Sequence, residues 1–449
     1  MKLRTIAGLC AIAVAISAQA QSGAISQDML RQMRHDYKPT AAERALRNAL
    51  NTSDINVLSA NPDAKPAEDT FTYRVPTKGI NDQESSGRCW LFTGINMLRA
   101  QAMRKGVVKE LNLSAAYNFF YDQLEKANLF LQTVIDTRHE KMSDRKVEWL
   151  FRNPLSDGGQ FTGISDNVTK YGVVPASVMP ETYVTNHTST YSRLLGWKLK
   201  EWGLELRKAS DRGADAAKLE AMKKDMLGQT YAMLCRQMGT PPTEFTWMGK
   251  KYTPVTFYNE IFGNDLKNDY VMFMNDPTRP YYELYEIDLD RHMYDGRNWT
   301  YLNVPMKDIK EMATASLKDS TAMYFSCDVG KYFNRKNGTL DLENYEYGGL
   351  LGTDFKMDKA ERIMTGASAS THAMTLIGVL LDDDKQPVRW LIENSWGPTA
   401  GFHGNLVATD KWMDEYLFRL VVERKYLPKK LLDKLSRKPV MLPCWDPMF

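Results

Sequence analysis

Cysteine is scarce in this chain, and neither sign of charge dominates it. The 449 residues include 5 Cys, and 58 Lys and Arg stand against 55 Asp and Glu, a formal net charge of +3. So few cysteines exclude a small scaffold held together by disulfides. The balanced charge gives no support for nucleic-acid binding. Hydrophobic residues make up 43% of the chain and charged residues 25%, which excludes a mostly disordered protein.

Long apolar runs are also missing once the first twenty residues have passed. Residues 1–20 begin with Lys2 and Arg4, continue with an apolar run and end in Ala-Gln-Ala. This order predicts a signal peptide and therefore an exported protein, periplasmic or extracellular; the alternative is a buried N-terminal helix. Removal of the leader lowers the formal charge to +1, and we expect no membrane span in the rest of the chain.

The order of the predicted elements favours an α+β fold. Amphipathic patterns predict helices at 89–104, at 115–131 and across 191–238, with an interruption near Gly213. Alternating or apolar runs predict strands at 71–75, 322–327, 373–381, 388–394 and 418–422. Helices that precede most of the strands are typical of α+β proteins rather than of alternating α/β ones.

One cysteine lies where a nucleophile would be activated. Cys89 is the first residue of a predicted helix, and the N-terminus of a helix favours thiolate over thiol. Gln83, six residues upstream, could direct its amide at a developing oxyanion, together with the Cys89 backbone N–H. Gly87 would let a substrate backbone approach closely.

A proton acceptor and an orienting amide lie on two consecutive predicted strands, 373–381 and 388–394. His372 precedes one strand, and Asn394 ends the next one, 22 residues later. Two adjacent antiparallel strands would place Asn394 beside His372, where it would set the tautomer of the ring. Trp396 would shelter that hydrogen bond from water.

The other cysteines and histidines are expected to be structural. An isolated Cys is usually a small buried hydrophobe, which we expect of Cys235 and Cys327. We expect the remaining histidines to have structural roles as well: His35, His139, His187, His292 and His403. Cys444 completes the four cysteines of the mature chain, and the spacing of the four does not decide whether they pair.

Together these motifs resemble the signature of papain-type cysteine peptidases. The residues that carry the resemblance are Gln83 with Cys89-Trp90, His372-Ala373 and Asn394-Ser395-Trp396-Gly397. Arg88 before the Cys, together with Asp157-Gly158-Gly159-Gln160 and the end of the chain, resembles the bleomycin hydrolase or aminopeptidase C branch, over about residues 71–449.

The resemblance implies a papain-like α+β fold, with a helical half and an antiparallel β half. It also implies a large helical insertion and a C-terminal arm that lies in the cleft. The expected division is a signal peptide (1–20), an N-terminal arm (21–70), a catalytic helical part (71–181), a mainly helical insertion (182–303), a catalytic β part (304–426) and the C-terminal arm (427–449).

The activity that the resemblance implies is that of a cysteine aminopeptidase. Such an enzyme hydrolyses N-terminal residues from peptides through a thioacyl intermediate and uses no cofactor or metal. Cys89 would be the nucleophile, His372 the base and acid, Asn394 the orienting residue and Gln83 an oxyanion donor. The implied substrate contacts are Gly87, Trp90, Gly158, Gly159, Trp396 and Phe449, whose carboxylate would meet the free amino group of the substrate.

Other functions remain open at this point. The same triad could serve a cysteine endopeptidase or another acyl transfer, and a peptidase fold could bind peptides or nucleic acid without catalysis. Family members assemble as hexamers, so we expect a homo-oligomer that acts on peptides. Export departs from the usual cytosolic location of the family and suggests digestion of peptides outside the cytoplasm.

Overall fold

The structure, a computed structural model, describes residues 23–107 and 110–449, so the predicted signal peptide lies outside the described residues. The chain divides into two compact units. One holds residues 23–60 together with Tyr347–Thr353, and the other holds the described residues of Asn61–Glu346 and Asp354–Phe449. Among the described helices, none has the length and apolar character that crossing a membrane requires.

The described residues form sixteen α-helices. They are α1 (Gln27–Asp36), α2 (Ala41–Leu50), α3 (Ile55–Ser59), α4 (Cys89–Arg104), α5 (Ala115–Asp136), α6 (Arg145–Arg152), α7 (Phe161–Tyr171), α8 (Tyr183–Asn186), α9 (Thr188–Asp211), α10 (Ala216–Met238), α11 (Pro254–Ile261), α12 (Met306–Lys318), α13 (Tyr347–Leu351), α14 (Lys359–Met364), α15 (Asp410–Tyr416) and α16 (Lys429–Leu432).

Fourteen strands accompany these helices in the described part of the chain. They are β1 (Tyr73–Arg74), β2 (Phe245–Trp247), β3 (Lys250–Tyr252), β4 (Tyr270–Met274), β5 (Leu284–Ile287), β6 (Thr300–Asn303), β7 (Met323–Cys327), β8 (Phe333–Asn334), β9 (Thr339–Leu340), β10 (His372–Leu381), β11 (Pro387–Glu393), β12 (Asn405–Thr409), β13 (Leu417–Glu423) and β14 (Val440–Leu442).

The smaller unit consists of α1, α2, α3 and α13. Its first three helices begin at side-chain caps, because Ser26, Thr40 and Asp54 each accept a hydrogen bond from a backbone N–H in the following turn. Thr40 and Glu43 form a reciprocal capping box. These helices begin where their own sequences supply the missing hydrogen-bond partners.

The helical half of the larger unit follows the predicted pattern. Helix α4 spans the predicted residues 89–104, and α5 runs five residues beyond its predicted end. The long region 191–238 is confirmed as two helices, α9 and α10, which are interrupted around Gly213. Gly213 has a φ of +87°, a conformation that suits glycine and ends the first of the two helices.

The β half is one mixed sheet of twelve strands. Its order is β14-β5-β6-β4-β13-β7-β10-β11-β12-β9-β8, with β1 paired to β10. The centre is antiparallel, as expected, since β10 pairs with β7 and β11, and β13 pairs with β4 and β7. Parallel pairs, which the sequence analysis did not predict, lie nearer the edges: β4 with β6, β5 with β14 and β9 with β12.

The region 182–303 contains more strand than the sequence analysis predicted. Helices α8 to α11 fill its first part, together with the small β2–β3 hairpin. Its last part, from Tyr270 to Asn303, instead forms β4, β5 and β6, which extend the main sheet through the β4–β13 pairing. The run Tyr270–Met274 is apolar and five residues long, which is the length of a buried strand.

The C-terminal arm is built into this sheet rather than solvated. Strand β14 pairs in parallel with β5, and the Asp288 N–H extends the pairing by donating to the Leu442 carbonyl at 2.9 Å. Cys444 and Met448 are buried beyond it. The four cysteines of the described chain all have free thiols.

A buried ion pair joins the helical half and the β half of the larger unit. Arg99 of α4 contacts Glu393 at the end of β11, and both side chains are almost fully buried. Loss of one partner leaves the other charge buried and uncompensated. The pair therefore fixes the helix that starts at Cys89 against the strand that ends before Asn394.

We predict that Arg99→Ala lowers the free energy of unfolding by about 3–5 kcal/mol, because Glu393 stays buried without its partner. Urea unfolding measures the loss. The matched control is the double variant Arg99→Met with Glu393→Leu, which removes both charges and should recover most of the stability. A single variant within 1 kcal/mol of the parent chain would contradict this account of the pair.

Candidate active site

Cys89 occupies the first position of α4, as the sequence predicts. The residue before it, Arg88, makes no side-chain cap to the helix, so the N–H groups of the first turn are not taken up by a cap. Arg88 instead points into the core, where it is fully buried and pairs with Glu181 at 2.7 Å. Cys89 as a residue is half-buried, and it lines a cavity.

His372 and Asn394 are neighbours across two antiparallel strands, which confirms the predicted geometry. The Nε2 atom of His372 lies 2.9 Å from Oδ1 of Asn394. The Ser395 backbone N–H donates to the same oxygen at 2.8 Å, which fixes the orientation of the amide. Nε2–H is therefore the donor to Asn394, and Nδ1 is the ring nitrogen left to face the cysteine.

Trp396 covers the imidazole. Its ring centroid lies 4.9 Å from that of His372, at an interplanar angle of 31°. Trp396 is held in turn by a backbone bridge to Asp82. An aromatic face over the ring excludes water from one side of the hydrogen bond between His372 and Asn394.

The two reactive groups shift each other's pKa. Burial by itself would raise the pKa of the Cys89 thiol, but the charge of His372 and a hydrogen bond to it lower the pKa below its ordinary value. Burial would likewise lower the pKa of His372, but Cys89 and the hydrogen bond to Asn394 raise it. The shifts favour a thiolate beside an imidazolium.

Gln83 is held beside the same strand end. Its backbone N–H donates to the Ser395 carbonyl at 2.8 Å, and its Oε1 accepts from the Ser395 hydroxyl at 2.7 Å. Its Nε2 donates to the Ser86 carbonyl at 2.6 Å. An amide nitrogen carries two hydrogens, so the second one remains for a group in the cavity that Gln83 lines.

The segment from Asp157 to Gln160 forms a wall of the cavity. The Asp157 carboxylate accepts from the Gly87 N–H at 2.8 Å, and its carbonyl accepts from the Trp90 indole at 2.9 Å. Gly159 is required for space, since a Cβ atom there would lie 2.1 Å from His292. A Cβ at Gly158 would meet nothing closer than 3.3 Å.

One cavity of about 520 Å³ collects most of the predicted site residues. Those that line it are Gln83, Gly87, Cys89, Gly158, Gly159, His372 and Phe449. Asn394, Trp90 and Trp396 are not in the lining. Asn394 lies behind His372, Trp396 covers the ring, and Trp90 is fully buried behind the wall. The structure thus places Trp90 as support for the cavity rather than as a surface that substrate touches.

The cavity also contains polar and charged residues whose roles the sequence patterns did not predict. His292, expected to be structural, is buried in the cavity wall with Nδ1 2.5 Å from Asp122 and its ring 4.7 Å from that of Trp90. Asp290 and Arg419 also line the cavity. The hydrogen bond between His292 and Asp122 joins residues 170 positions apart, so no local pattern marks it.

Comparison with known proteins identifies the family of this chain. A model of the Peptidase C1-like family matches residues 24–449. Bleomycin hydrolase of Homo sapiens is 38% identical over 406 residues, which cover 85% of this chain and 88% of that protein. Aminopeptidase C of Lactobacillus delbrueckii subsp. lactis is 34% identical over 440 residues, with coverages of 94% and 98%.

A solved structure shows the same fold. PepW of Lactobacillus rhamnosis superposes with a TM-score of 0.90 at 37% identity, and the match covers 95% of this chain and 99% of that one. The α+β fold expected from the papain-type motifs is therefore confirmed. The chain belongs to the Peptidase C1-like family, in agreement with the resemblance of its motifs to bleomycin hydrolase and aminopeptidase C.

Proposed function

We propose that Cys89, His372 and Asn394 carry the reaction of this cysteine aminopeptidase. The observation behind the proposal is the 2.9 Å hydrogen bond between His372 Nε2 and Asn394 Oδ1, which leaves Nδ1 for the cysteine. The lowered pKa of Cys89 and the raised pKa of His372 supply a thiolate and a proton donor in one place.

The residues act in two half-reactions. The Cys89 thiolate attacks the first peptide carbonyl carbon, and the oxyanion that forms accepts hydrogen bonds from the Cys89 N–H and the Gln83 amide. The His372 imidazolium then gives its proton to the leaving amine, and the rest of the peptide departs. His372 next takes a proton from water, which attacks the thioacyl carbon and releases the N-terminal residue and the thiolate.

The C-terminal arm selects a free amino end in this proposal. Phe449 lines the same cavity as Cys89, and the ion pairs of the described residues include none to its terminal carboxylate. That carboxylate is therefore free to pair with the α-ammonium of a peptide. A carboxylate and an ammonium 4 Å apart attract each other by about 4 kcal/mol at an effective dielectric of 20.

We expect the full chain to hydrolyse peptides with a free N-terminus and to leave their N-acetylated counterparts intact, with products read by mass spectrometry. Cys89→Ala should abolish turnover in a protein that keeps its thermal unfolding midpoint. Deletion of residues 447–449 should lower kcat/KM for the free peptide about 100-fold, less than the full interaction of about 4 kcal/mol would give, because Phe449 is 44% exposed and solvent screens the pair. The deletion should also permit cleavage of the acetylated peptide. Equal cleavage of both peptides by the full chain would refute the aminopeptidase assignment.

We expect a bell-shaped dependence of kcat/KM on pH. Activity falls at low pH as the Cys89 thiolate is protonated, and at high pH as the His372 imidazolium loses its proton. Asn394→Ala removes a hydrogen bond that raises the pKa of His372, so the alkaline limb should move to lower pH. An alkaline limb that stays in place while the acid limb moves would assign the limbs the other way.

We also propose export, on the strength of residues 1–20, and a homo-oligomer, on the strength of the family resemblance. N-terminal sequencing of the protein recovered outside the cytoplasm should find Gln21 as the first residue. Recovery of the chain with Met1 intact, and in the cytoplasm, would refute export. Sedimentation of the purified protein measures its oligomeric state.

A further inference from the structure

We propose that Arg419 is a positioning residue that fixes the end of the C-terminal arm at a set distance from the pair of Cys89 and His372. The proposal rests on the proposed function of the arm. It gives a role to the Arg419 guanidinium, which takes no part in the proposed half-reactions. Arg419 is 5% exposed and lines the same cavity as Cys89 and His372.

Arg419 lies across the sheet from the catalytic histidine. On β13 it faces Ser326 of β7, and Ser326 faces Ala373 of β10, the residue next to His372. Neighbouring strands are about 4.8 Å apart, so the Arg419 backbone is about 10 Å from the strand that carries His372. A group held by Arg419 is therefore held at a distance that the sheet itself sets.

The group that Arg419 holds is the arm. Its Nη2 donates to the carbonyl oxygen of Met448 at 2.5 Å, and within the described residues this is the one hydrogen bond of the guanidinium. The guanidinium also stacks 4.7 Å above the ring of Trp299. The Trp299 ring against one face of the guanidinium and the Met448 carbonyl as its acceptor together fix the direction in which the Nη2–H group points.

The charge of Arg419 is paired with Asp290 and not with the terminal carboxylate of Phe449. Asp290 Oδ2 lies 3.7 Å from Nη2, and Asp290 is itself held by the Gln160 amide, which donates to Oδ1 at 3.0 Å. Gln160 ends the cavity wall that begins at Asp157. The arm is thus tied to this wall, and the carboxylate of the next residue, Phe449, is left for the substrate.

Two further contacts fix the turn that presents Met448. The Met448 N–H donates to Oδ1 of Asp446 at 3.0 Å, and the Phe449 N–H donates to the Asp446 carbonyl at 3.0 Å. Arg279 pairs with the Asp446 carboxylate at 2.5 Å. Arg279 therefore secures the turn, and Arg419 secures the last carbonyl before the chain end.

The test measures how tightly the arm is held, without relying on activity. Full-length Cys89→Ala, which cannot cut its own arm, is treated with a carboxypeptidase, and the loss of residues from the end is followed by mass. Arg419→Gln should be trimmed about 10- to 100-fold faster, which corresponds to the loss of one hydrogen bond from a charged donor. Arg419→Lys keeps a charge opposite Asp290 and should also be trimmed faster.

The matched control is Arg207→Gln. Arg207 is another buried arginine that donates to backbone carbonyls, those of Thr137 and Glu140, and it does not contact the arm. Its trimming rate should equal that of the parent chain. Equal rates for Arg419→Lys, Arg207→Gln and the parent would overturn the proposal, and Arg419→Lys decides the case if Arg419→Gln does not fold.

A second measurement separates this proposal from the proposed function of the arm. In the active enzyme, a loosened arm should raise the cleavage of N-acetylated peptide relative to free peptide in Arg419→Lys. Fast trimming supports the role of Arg419, whatever the peptide result. If deletion of residues 447–449 leaves peptide selection unchanged, the function proposed for the arm fails, while the trimming rates still measure its attachment.

Discussion

The buried ion pair between Arg99 and Glu393 is the constraint on which the active site depends. Cys89 and His372 are 283 residues apart, one on a helix and the other on a strand, and a proton can pass between them only if the two elements keep a fixed distance. Arg99 lies on the helix of Cys89, and Glu393 directly precedes Asn394. A shift of the helix along the sheet would separate these charges in a dry interior, where an unpaired charge costs several kcal/mol.

The same balance between burial and pairing governs the catalytic residues. Burial opposes both charges, since it raises the pKa of Cys89 and lowers that of His372, and each charge is maintained because the other lies beside it. Asn394 and Trp396 add a hydrogen bond and a dry cover to the imidazole. The reactive state is therefore a property of the pair and of its geometry, not of an isolated thiol.

Local patterns predicted the parts of the fold that depend on local physics. The amphipathic run from Cys89 to Arg104 predicts a helix. Two apolar runs predict the strands that bring His372 and Asn394 together, since His372 precedes the first run and Asn394 follows the second. The sequence patterns did not predict strands β4 to β6 or the parallel pairs near the sheet edges, because this pairing joins segments far apart in the chain. The role of Arg419 was not predicted for a related reason, since its partner Met448 lies in the C-terminal arm, whose path no local pattern encodes.

The strands that the sequence patterns did not predict, β4 to β6, belong to the region that holds the arm. Strand β5 provides the edge on which β14 of the arm pairs, and the connected residues supply Arg279 for Asp446, Trp299 beneath Arg419 and Asp290 beside it. All of these residues, whether they contact the arm itself or Arg419, come from the region 270–303. An arm of about twenty residues with four prolines has little regular structure of its own, so its order must come from a surface that receives it. We therefore infer that the region 270–303 and the arm act together. The region 270–303 forms the surface that orders the arm, and the end of the arm lies at the cavity of Cys89.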